Sequence, residues 1–220
     1  MTRTVVLTGF EPYGGRSLNP SAEIVKALDG RTVGGHRIMG HVLPVSLERL
    51  NRALDEVLAG EAPVAVINLG LAPGEPMIRL ERVAINLAEF EIPDNDGRVM
   101  QDAPIHEPGR EGLFSTLPLR KIEARLLGAG IPVRLSMTAG TYLCNATMYT
   151  VLGMLRERKW DAPSGFIHLP YLPQQVADVL ADFNRKRSSD LVKREQLPSM
   201  DLATQTRAIE LALEETVATA

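Results

Sequence analysis

Short apolar runs alternate along the chain with longer stretches in which apolar residues recur at helical spacing. The β-branched run from Thr4 to Thr8 ends at Gly9 and predicts a buried strand. Asn19-Pro20 then predicts the start of a helix, with Asn as the N-cap and Pro in the first helical position. This helix should run to about Asp29 and end at Gly30.

The same alternation continues to the end of the sequence. It predicts further strands at His36 to Val45, Val64 to Leu69, Met77 to Asn86, Ile131 to Met137 and Gly165 to Leu169. It predicts five further helices: one after the cap Ser46, one from Pro118, one over Cys144 to Glu157, one near Val176 to Arg185, and one that starts near Ser199 to Leu202. In the last of these, Leu202, Ile209, Leu213 and Val217 form one apolar stripe. This order favours a single α/β domain over residues 1–220, with a mainly parallel, twisted sheet and helices on both faces.

Two segments have no regular pattern. The chain from Leu87 to Gly112 is irregular, and a loop of that length in a compact domain is usually functional or mobile. The charged connection from Lys186 to Arg194 is most simply a solvated loop. We therefore expect the segment from Leu87 to Gly112 to be the functional loop, either as a lid over the site or as an interface between subunits.

Composition and motifs exclude several classes of protein. Lys and Arg number 24 and Asp and Glu 27, a net charge of −3, so no nucleic acid or membrane partner is expected. No apolar run is long enough for a membrane span, and the run near Val5 is too short for a signal peptide, so neither is expected. A single cysteine fits a reducing, cytoplasmic location. Phosphate-loop, dinucleotide and metal-ligand spacings are missing, so no cofactor or metal is expected.

Cys144 is the strongest candidate for chemistry. It follows a predicted strand and turn and opens a predicted helix. The unpaired N–H groups and the dipole at a helix N-terminus favour a thiolate, which is the nucleophilic form, and the same N–H groups can hold an oxyanion. The alternative is a buried structural cysteine, which is common.

One histidine and one carboxylate could act with this thiol. His168 ends a predicted strand and is placed as a general base, whereas His36, His41 and His106 lack such a setting. Glu81 lies in an apolar strand, where it either orients a histidine or pairs with a neighbouring arginine, Arg79 or Arg82.

These residues are expected to meet at one edge of the sheet. Ligands of open α/β sheets bind outside the carboxyl ends of the strands. The segments that follow the predicted strands are Gly9-Phe10, Gly70-Leu71, the turn from Thr138 to Cys144, and His168.

The sequence resembles the pyroglutamyl peptidases, cytosolic cysteine peptidases also called pyrrolidone-carboxylate peptidases. The resemblance spans nearly the whole chain and rests on the segments TGFEPYGG (8–15), NPS (19–21), ERVAIN (81–86), IPDN (92–95), AGTYLCN (139–145) and GFIHLP (165–170). Their order is more specific than any single segment.

The resemblance implies a triad of Cys144 as nucleophile, His168 as base and Glu81 as orienting residue. It implies removal of an N-terminal pyroglutamate from peptides through a thioester, and assembly as a homo-oligomer, a dimer or tetramer. The substrate pocket is expected to use Phe10, Tyr13, Asn19, Leu71 and Tyr142, with aromatic walls, a backbone carbonyl from Leu71, and Asn19 either holding the loop or touching the ring carbonyl.

Several residues depart from the family pattern. Tyr13 and Tyr142 stand where Phe is frequent, and Leu71 stands where Gln is common. Glu75 and Glu91 each stand where Arg is common. If the arginine that Glu91 replaces helps to polarise the oxyanion or to protect the intermediate, Glu91 cannot take that role. We therefore expect weaker activity, or another cation in that role. The alternatives are a cysteine amidase for another small cyclic or acyl amide, and a non-catalytic ligand binder on the same fold.

Overall fold

A seven-stranded, mostly parallel sheet forms the centre of the protein. The computed structural model describes residues 3–186 and 197–220. The strands of this sheet are β1 (Thr4–Phe10), β2 (Thr32–Val33), β3 (His36–Leu43), β4 (Ala65–Leu71), β5 (Ile78–Glu81), β8 (Val133–Ser136) and β9 (Ser164–Leu169), in the order β2-β3-β1-β4-β9-β5-β8. A separate pair is formed by β6 (Val83–Ile85) and β7 (Gly112–Phe114). The predicted α/β class is confirmed.

Helices cover both faces of the large sheet, as predicted. They are α1 (Pro20–Leu28), α2 (Leu47–Val57), α3 (Leu119–Gly128), α4 (Leu143–Glu157), α5 (Pro173–Lys186) and α6 (Leu202–Val217). One buried cluster joins α1, α3 and α6 to the sheet, and a second joins α2 and α4 to its other face. The predicted N-caps are confirmed, since the side chain of Asn19 accepts from Ser21 N and that of Ser46 from Arg49 N.

The end of the chain packs as the periodicity predicts. Ile209 and Leu213 of α6 are buried, and Leu202 and Val217 pack against the same cluster. The loop predicted from Lys186 to Arg194 falls on residues 187–196 for the most part, which lie outside the described residues.

Strand direction differs from the simplest expectation. β1, β3, β4 and β9 run parallel, but β5 is antiparallel to β9, and β8 runs with β5. The carboxyl ends of β5 and β8 therefore do not share the edge where β1, β3, β4 and β9 end. Apolar periodicity carries no information on strand direction, so the expectation of a common carboxyl edge is wrong for the turn after β8. Glu81 lies within a strand, as predicted, and still meets His168.

The run from Met77 to Asn86 is not one strand, contrary to prediction. It breaks at Arg82, whose N–H donates to Ser136 O in the large sheet while its carbonyl accepts from Ser115 N. The chain thus passes from β5 to β6 and from one sheet to the other. Residues 83–85 keep an extended pattern, which is why the sequence does not show the break.

Side chains anchor the irregular segment from Leu87 to Gly112. Asn86 Oδ1 accepts from Ile105 N and His106 N at its start, and Ala88 bridges to Ala103. Further along, the buried Asp94 carboxylate accepts from Leu47 N, at the start of α2. The segment is therefore fastened at several points to the rest of the fold.

Candidate active site

Cys144 lies in the first turn of α4. The turn that precedes this helix is tight: Gly140 has φ +79°, a conformation that favours glycine, and its N–H donates to Thr138 Oγ1. Tyr142 is the N-cap residue and makes no side-chain capping bond. The first N–H groups of α4 are therefore left uncapped by any side chain beside the thiol, which is half-buried.

The thiol sits over the end of β4. A Cβ built on Gly70 would lie 2.9 Å from Cys144 Sγ and 2.7 Å from the Phe166 ring. Glycine at position 70 is thus needed for the sulfur to approach the sheet this closely. The β4–β9 register pairs Gly70 with His168, which brings the thiol to that ring.

His168 is buried between the thiol and Glu81. Its Nδ1 lies 2.7 Å from Glu81 Oε1. A carboxylate only accepts hydrogen bonds, so Nδ1 carries a proton and Nε2 is left for Cys144. Glu81 is fully buried. The structure therefore brings together the thiol, the imidazole and the carboxylate that the sequence singled out.

The environment favours the charged imidazolium. Burial of the His168 ring opposes its protonation and lowers its pKa. The charge of Cys144, the hydrogen bond between His168 and Cys144, and the hydrogen bond and charge of Glu81 act in the other direction. Together they outweigh burial and raise the pKa of His168 to about 9. The geometry therefore supports an imidazolium held between the sulfur of Cys144 and the carboxylate of Glu81.

Arg79 lies beside the triad. The sequence pattern indicates it only as an alternative salt-bridge partner of Glu81. Arg79 Nε lies 3.0 Å from Glu81 Oε1, the same oxygen that binds His168. Its Nη2 donates to Ser136 Oγ and to Thr138 O, in the turn before Cys144. Both readings of Glu81 therefore hold, because it contacts the histidine and an arginine. The alternating pattern of residues 77–86 places Arg79 and Glu81 on one face, which is the signal that could have found this contact.

Glu75 balances that cation. Arg79 Nη1 lies 2.9 Å from Glu75 Oε1, and Arg134 Nη2 lies 3.0 Å from Glu75 Oε2. Partial burial raises the pKa of Glu75, but hydrogen bonds and charge from Arg134 and Arg79 outweigh it, and the net direction is downwards. A row of alternating charges thus leads from the surface to the histidine.

The thiol and the imidazole open into a cavity of about 480 Å³. Phe10, Tyr13 and Tyr142 line it, as the resemblance implies; the Tyr13 and Tyr142 ring centroids are 6.3 Å apart. Burial is the main cause that raises the pKa of Tyr13, and the charge of Cys144 adds to it. Burial and the charge of Asp94 raise the pKa of Tyr142 to about 12. Both phenols are therefore neutral at ordinary pH and can act as hydrogen-bonding walls.

Asn19 and Leu71 also line the cavity. Asn19 Nδ2 donates to Glu11 O, and its Oδ1 accepts from the backbone and the hydroxyl of Ser21. Of the two roles considered for Asn19, the loop-holding one is therefore observed. Leu71 ends β4 and is almost fully buried.

The opposite wall belongs to the long segment, through Glu89, Glu91 and Ile92. This wall is joined to the Phe10–Tyr13 loop through one carboxylate: Glu11 Oε1 accepts from Val45 N and from Asn95 Nδ2. We name these three residues the Glu11 junction.

The other histidines lie elsewhere. The ring of His36 contacts Arg3 O, His41 lies on β3, and His106 lines a different cavity of about 460 Å³. Within residues 3–186 and 197–220, no three His, Cys, Asp or Glu side chains cluster in a way that could hold a metal ion. In the same residues, no helix is both long and apolar enough to cross a membrane.

A thiol at a helix N-terminus, a buried imidazole and a buried carboxylate on an α/β sheet define the cysteine-hydrolase class. The family model for pyroglutamyl peptidase matches residues 3–219. The chain belongs to the pyroglutamyl peptidase family.

Named relatives agree with that assignment over nearly the full chain. Pyrrolidone-carboxylate peptidase of Pyrococcus furiosus is 40% identical over 211 residues, which is 96% of this chain and 98% of the relative. The Bacillus cereus protein of the same name is 37% identical over 214 residues, covering 97% and 93%.

Solved structures show the same fold. A crystal structure of pyrrolidone carboxyl peptidase from Pyrococcus furiosus matches with a TM-score of 0.90 at 38% identity, covering 98% of this chain and 99% of the other. The Thermococcus litoralis enzyme matches with a TM-score of 0.87 at 39% identity, covering 99% and 94%.

Proposed function

We propose that this protein is a cysteine peptidase that removes N-terminal pyroglutamate from peptides. The observation that carries the proposal is the contact chain from Cys144 through His168 to Glu81, which opens into a cavity of matching size and chemistry. Family membership over residues 3–219 supports the same substrate.

In the first half-reaction, the Cys144 thiolate attacks the carbonyl carbon of the pyroglutamyl group. The developing oxyanion is held by N–H groups of the first turn of α4, which no side chain caps. The His168 imidazolium gives its proton to the leaving amine as the C–N bond breaks. The products of this step are a pyroglutamyl thioester and a peptide shortened by one residue.

In the second half-reaction, neutral His168 takes a proton from water, which attacks the thioester. The C–S bond breaks, pyroglutamate leaves, and the thiolate–imidazolium pair is restored. Glu81 keeps the ring in the tautomer that presents Nε2 to the reacting atoms.

The cavity suits a small neutral lactam. Its inner part is built from buried Phe10, Asn19, Leu71 and Leu143, together with the two neutral tyrosines. The pocket needs no carboxylate to bind an α-ammonium group, because the ring nitrogen of pyroglutamate is an uncharged amide. We assign the flat walls to the aromatic rings and the lactam N–H to the Leu71 carbonyl.

Arg79 is the cation that we place in the role left open by Glu75 and Glu91. It lines the cavity, contacts Glu81 and holds the turn before Cys144. We infer that it acts through these groups as a positioning residue, with Glu75 as its counter-ion.

The first test is release of a fluorescent amine from a pyroglutamyl amide under reducing conditions, by the wild type and by Cys144→Ser. Turnover in the wild type alone supports the proposal. Turnover only on other acyl amides would indicate an amidase instead. No turnover, with slow alkylation by iodoacetamide at neutral pH, would indicate a ligand binder.

We further propose, from the family resemblance, a single peptidase domain over residues 1–220, a homo-oligomer (dimer or tetramer) and a cytoplasmic location. Light scattering coupled to size-exclusion chromatography measures the oligomeric state directly. A mass of one chain at micromolar concentration would contradict self-association.

A further inference from the structure

The cavity has a largely apolar and aromatic inner lining and an exposed carboxylate at its open side. The inner lining residues, such as Phe10 and Leu143, are buried, whereas Glu91 and Ile92 line the cavity and are exposed. We call these two residues the outer rim. Pyroglutamate is the first residue of its peptide, so the rest of the substrate has to leave through this open side.

The charge of Glu91 is uncompensated. Among residues 3–186 and 197–220, its side chain makes no ion pair or hydrogen bond. The arginines on nearby segments are engaged elsewhere, since Arg49 contacts Asp96 and Arg98 lies 4.0 Å from Glu48.

The other carboxylates and the arginine of the cavity are held by partners of their own. The guanidinium of Arg79 lies between Glu75 and Glu81. Glu89 is half-buried, and its Oε2 accepts from Asp102 N at 2.7 Å. Glu91 is therefore the exposed carboxylate of the cavity lining that is free to contact a bound peptide.

An apolar side chain stands next to that charge. Ile92 is 45% exposed although it borders the cavity. Lysine and arginine bury an aliphatic stem on apolar surface and keep the charged head in water. The outer rim suits such a side chain, because its exposed apolar residue can contact the aliphatic stem and its unpaired carboxylate can contact the charged head.

We propose that the outer rim makes the second substrate residue a specificity determinant, favouring lysine or arginine directly after pyroglutamate. This inference rests on the proposed function and adds a substrate preference to it. Ile92 would contact the stem and Glu91 the cationic head. An exposed pair of this kind is expected to change kcat/KM by about two- to fivefold.

Three peptides that differ only in the second residue test the proposal: pyroglutamyl-lysyl, pyroglutamyl-norleucyl and pyroglutamyl-glutamyl tripeptide amides. Norleucine keeps the stem and removes the charge. In wild type at low salt we expect kcat/KM to fall in the order lysine, norleucine, glutamate. Salt at about 1 M, where the screening length is about 3 Å, should bring the lysine-to-norleucine ratio close to one.

Two variants assign the effect to Glu91. Glu91→Gln should bring the lysine-to-norleucine ratio close to one, and Glu91→Arg should reverse the order of lysine and glutamate. Glu61→Gln is the matched control, because Glu61 is exposed and precedes β4 at the end of the sheet away from the cavity. It should keep the wild-type ratio.

The possible outcomes distinguish a failure of the substrate preference from a failure of the proposed function. Equal kcat/KM for lysine and norleucine in wild type, or a ratio that persists in Glu91→Gln, would overturn the specificity proposal while pyroglutamyl hydrolysis stands. Cleavage of none of the three peptides would overturn the proposed function and the specificity with it.

Discussion

Arg79 is the direct partner of His168 across the β5–β9 ladder. Paired residues of neighbouring strands present their side chains on the same face of a sheet, so a permanent cation and a titrating imidazole stand side by side. Glu81, two residues along β5, lies on that face as well and reaches both of them through one oxygen. The register of β5 against the antiparallel strand β9 places these three side chains together.

The pH dependence of catalysis should follow His168. Because its pKa is raised to about 9, the imidazolium needed by the leaving amine persists through neutral pH, and kcat/KM should fall as pH rises through about 9. Glu81 contributes to the raised pKa, so Glu81→Gln should move this alkaline limb to lower pH. An unmoved limb in a kcat/KM profile would contradict the role given to Glu81.

The same shift affects stability. A folded-state pKa above the ordinary value of about 6.5 means that protonated His168 stabilises the fold fully below about pH 6.5, and that this contribution is lost as pH rises through about 9. In His168→Ala, this part of the pH dependence of the free energy of unfolding should disappear. The variant should also lose about 10²–10⁴-fold in turnover, more than Glu81→Gln.

Cys144 can be tested without interference from other thiols, because it is the only cysteine in the sequence. Cys144→Ser and Cys144→Ala should abolish turnover while the circular dichroism spectrum and melting temperature stay close to those of wild type. Iodoacetamide should add one group to wild type by intact mass and none to either variant. Residual turnover in Cys144→Ala would reject the nucleophile.

Gly70 should tolerate no side chain. A methyl group there would meet Cys144 Sγ at 2.9 Å and Phe166 at 2.7 Å, so Gly70→Ala has to move the sulfur or the ring. We expect about 10²-fold lower kcat, the usual cost of a misplacement near 1 Å, and a loss of about 1–3 kcal/mol in stability.

Gly153→Ala is the matched control for that substitution. Gly153 lies in α4, and a Cβ built there meets nothing within 4 Å. The change should leave kcat unaltered and stabilise the helix by about 0.5–1 kcal/mol. Equal kcat in Gly70→Ala and wild type would show that the close approach of the sulfur to β4 is not needed.

Arg79 should affect kcat more than KM. Arg79→Gln removes the cation from Glu81 and the donor from Thr138 O, which should lower kcat and cost about 1–3 kcal/mol in stability. Arg79→Lys should retain part of the wild-type kcat. In Arg79→Ala, which leaves space for a small cation, added guanidinium should restore a larger part of kcat than the lysine does. Arg134→Gln, which touches only Glu75 among these groups, is the control and should change kcat little.

A purely structural Arg79 would behave differently. Loss of stability in Arg79→Gln with kcat and KM unchanged in the folded fraction would remove its positioning role. Failure of guanidinium to raise kcat in a folded Arg79→Ala would do the same.

Much of this fold follows from local sequence signals. Alternating apolar runs, the caps Asn19 and Ser46, and the helix stripe through Ile209 and Leu213 each predict an element that the structure contains. These features depend on neighbours along the chain, and they are therefore legible in the sequence.

The features that the sequence does not reveal depend on distant partners. The reversal of β5 and β8 and the break at Arg82 come from pairing with other strands. The anchoring of the long segment depends on single side chains such as Asp94 that accept backbone N–H groups far away in sequence. For the site, the family resemblance implies that Cys144, His168 and Glu81 act together. The shared contact of His168 and Arg79 with Glu81 Oε1 depends on the pairing of β5 with β9, which the sequence does not reveal.

The Glu11 junction has a consequence for the kinetics of ligand capture. Since Val45 and Asn95 bind the same carboxylate oxygen that anchors the aromatic loop, the two sides of the cavity are spaced before any ligand arrives. The entropic cost of assembling the pocket then falls on folding and not on association. Capture of a peptide should accordingly be a single-exponential process whose rate rises linearly with peptide concentration, without the saturation that a closing step would impose.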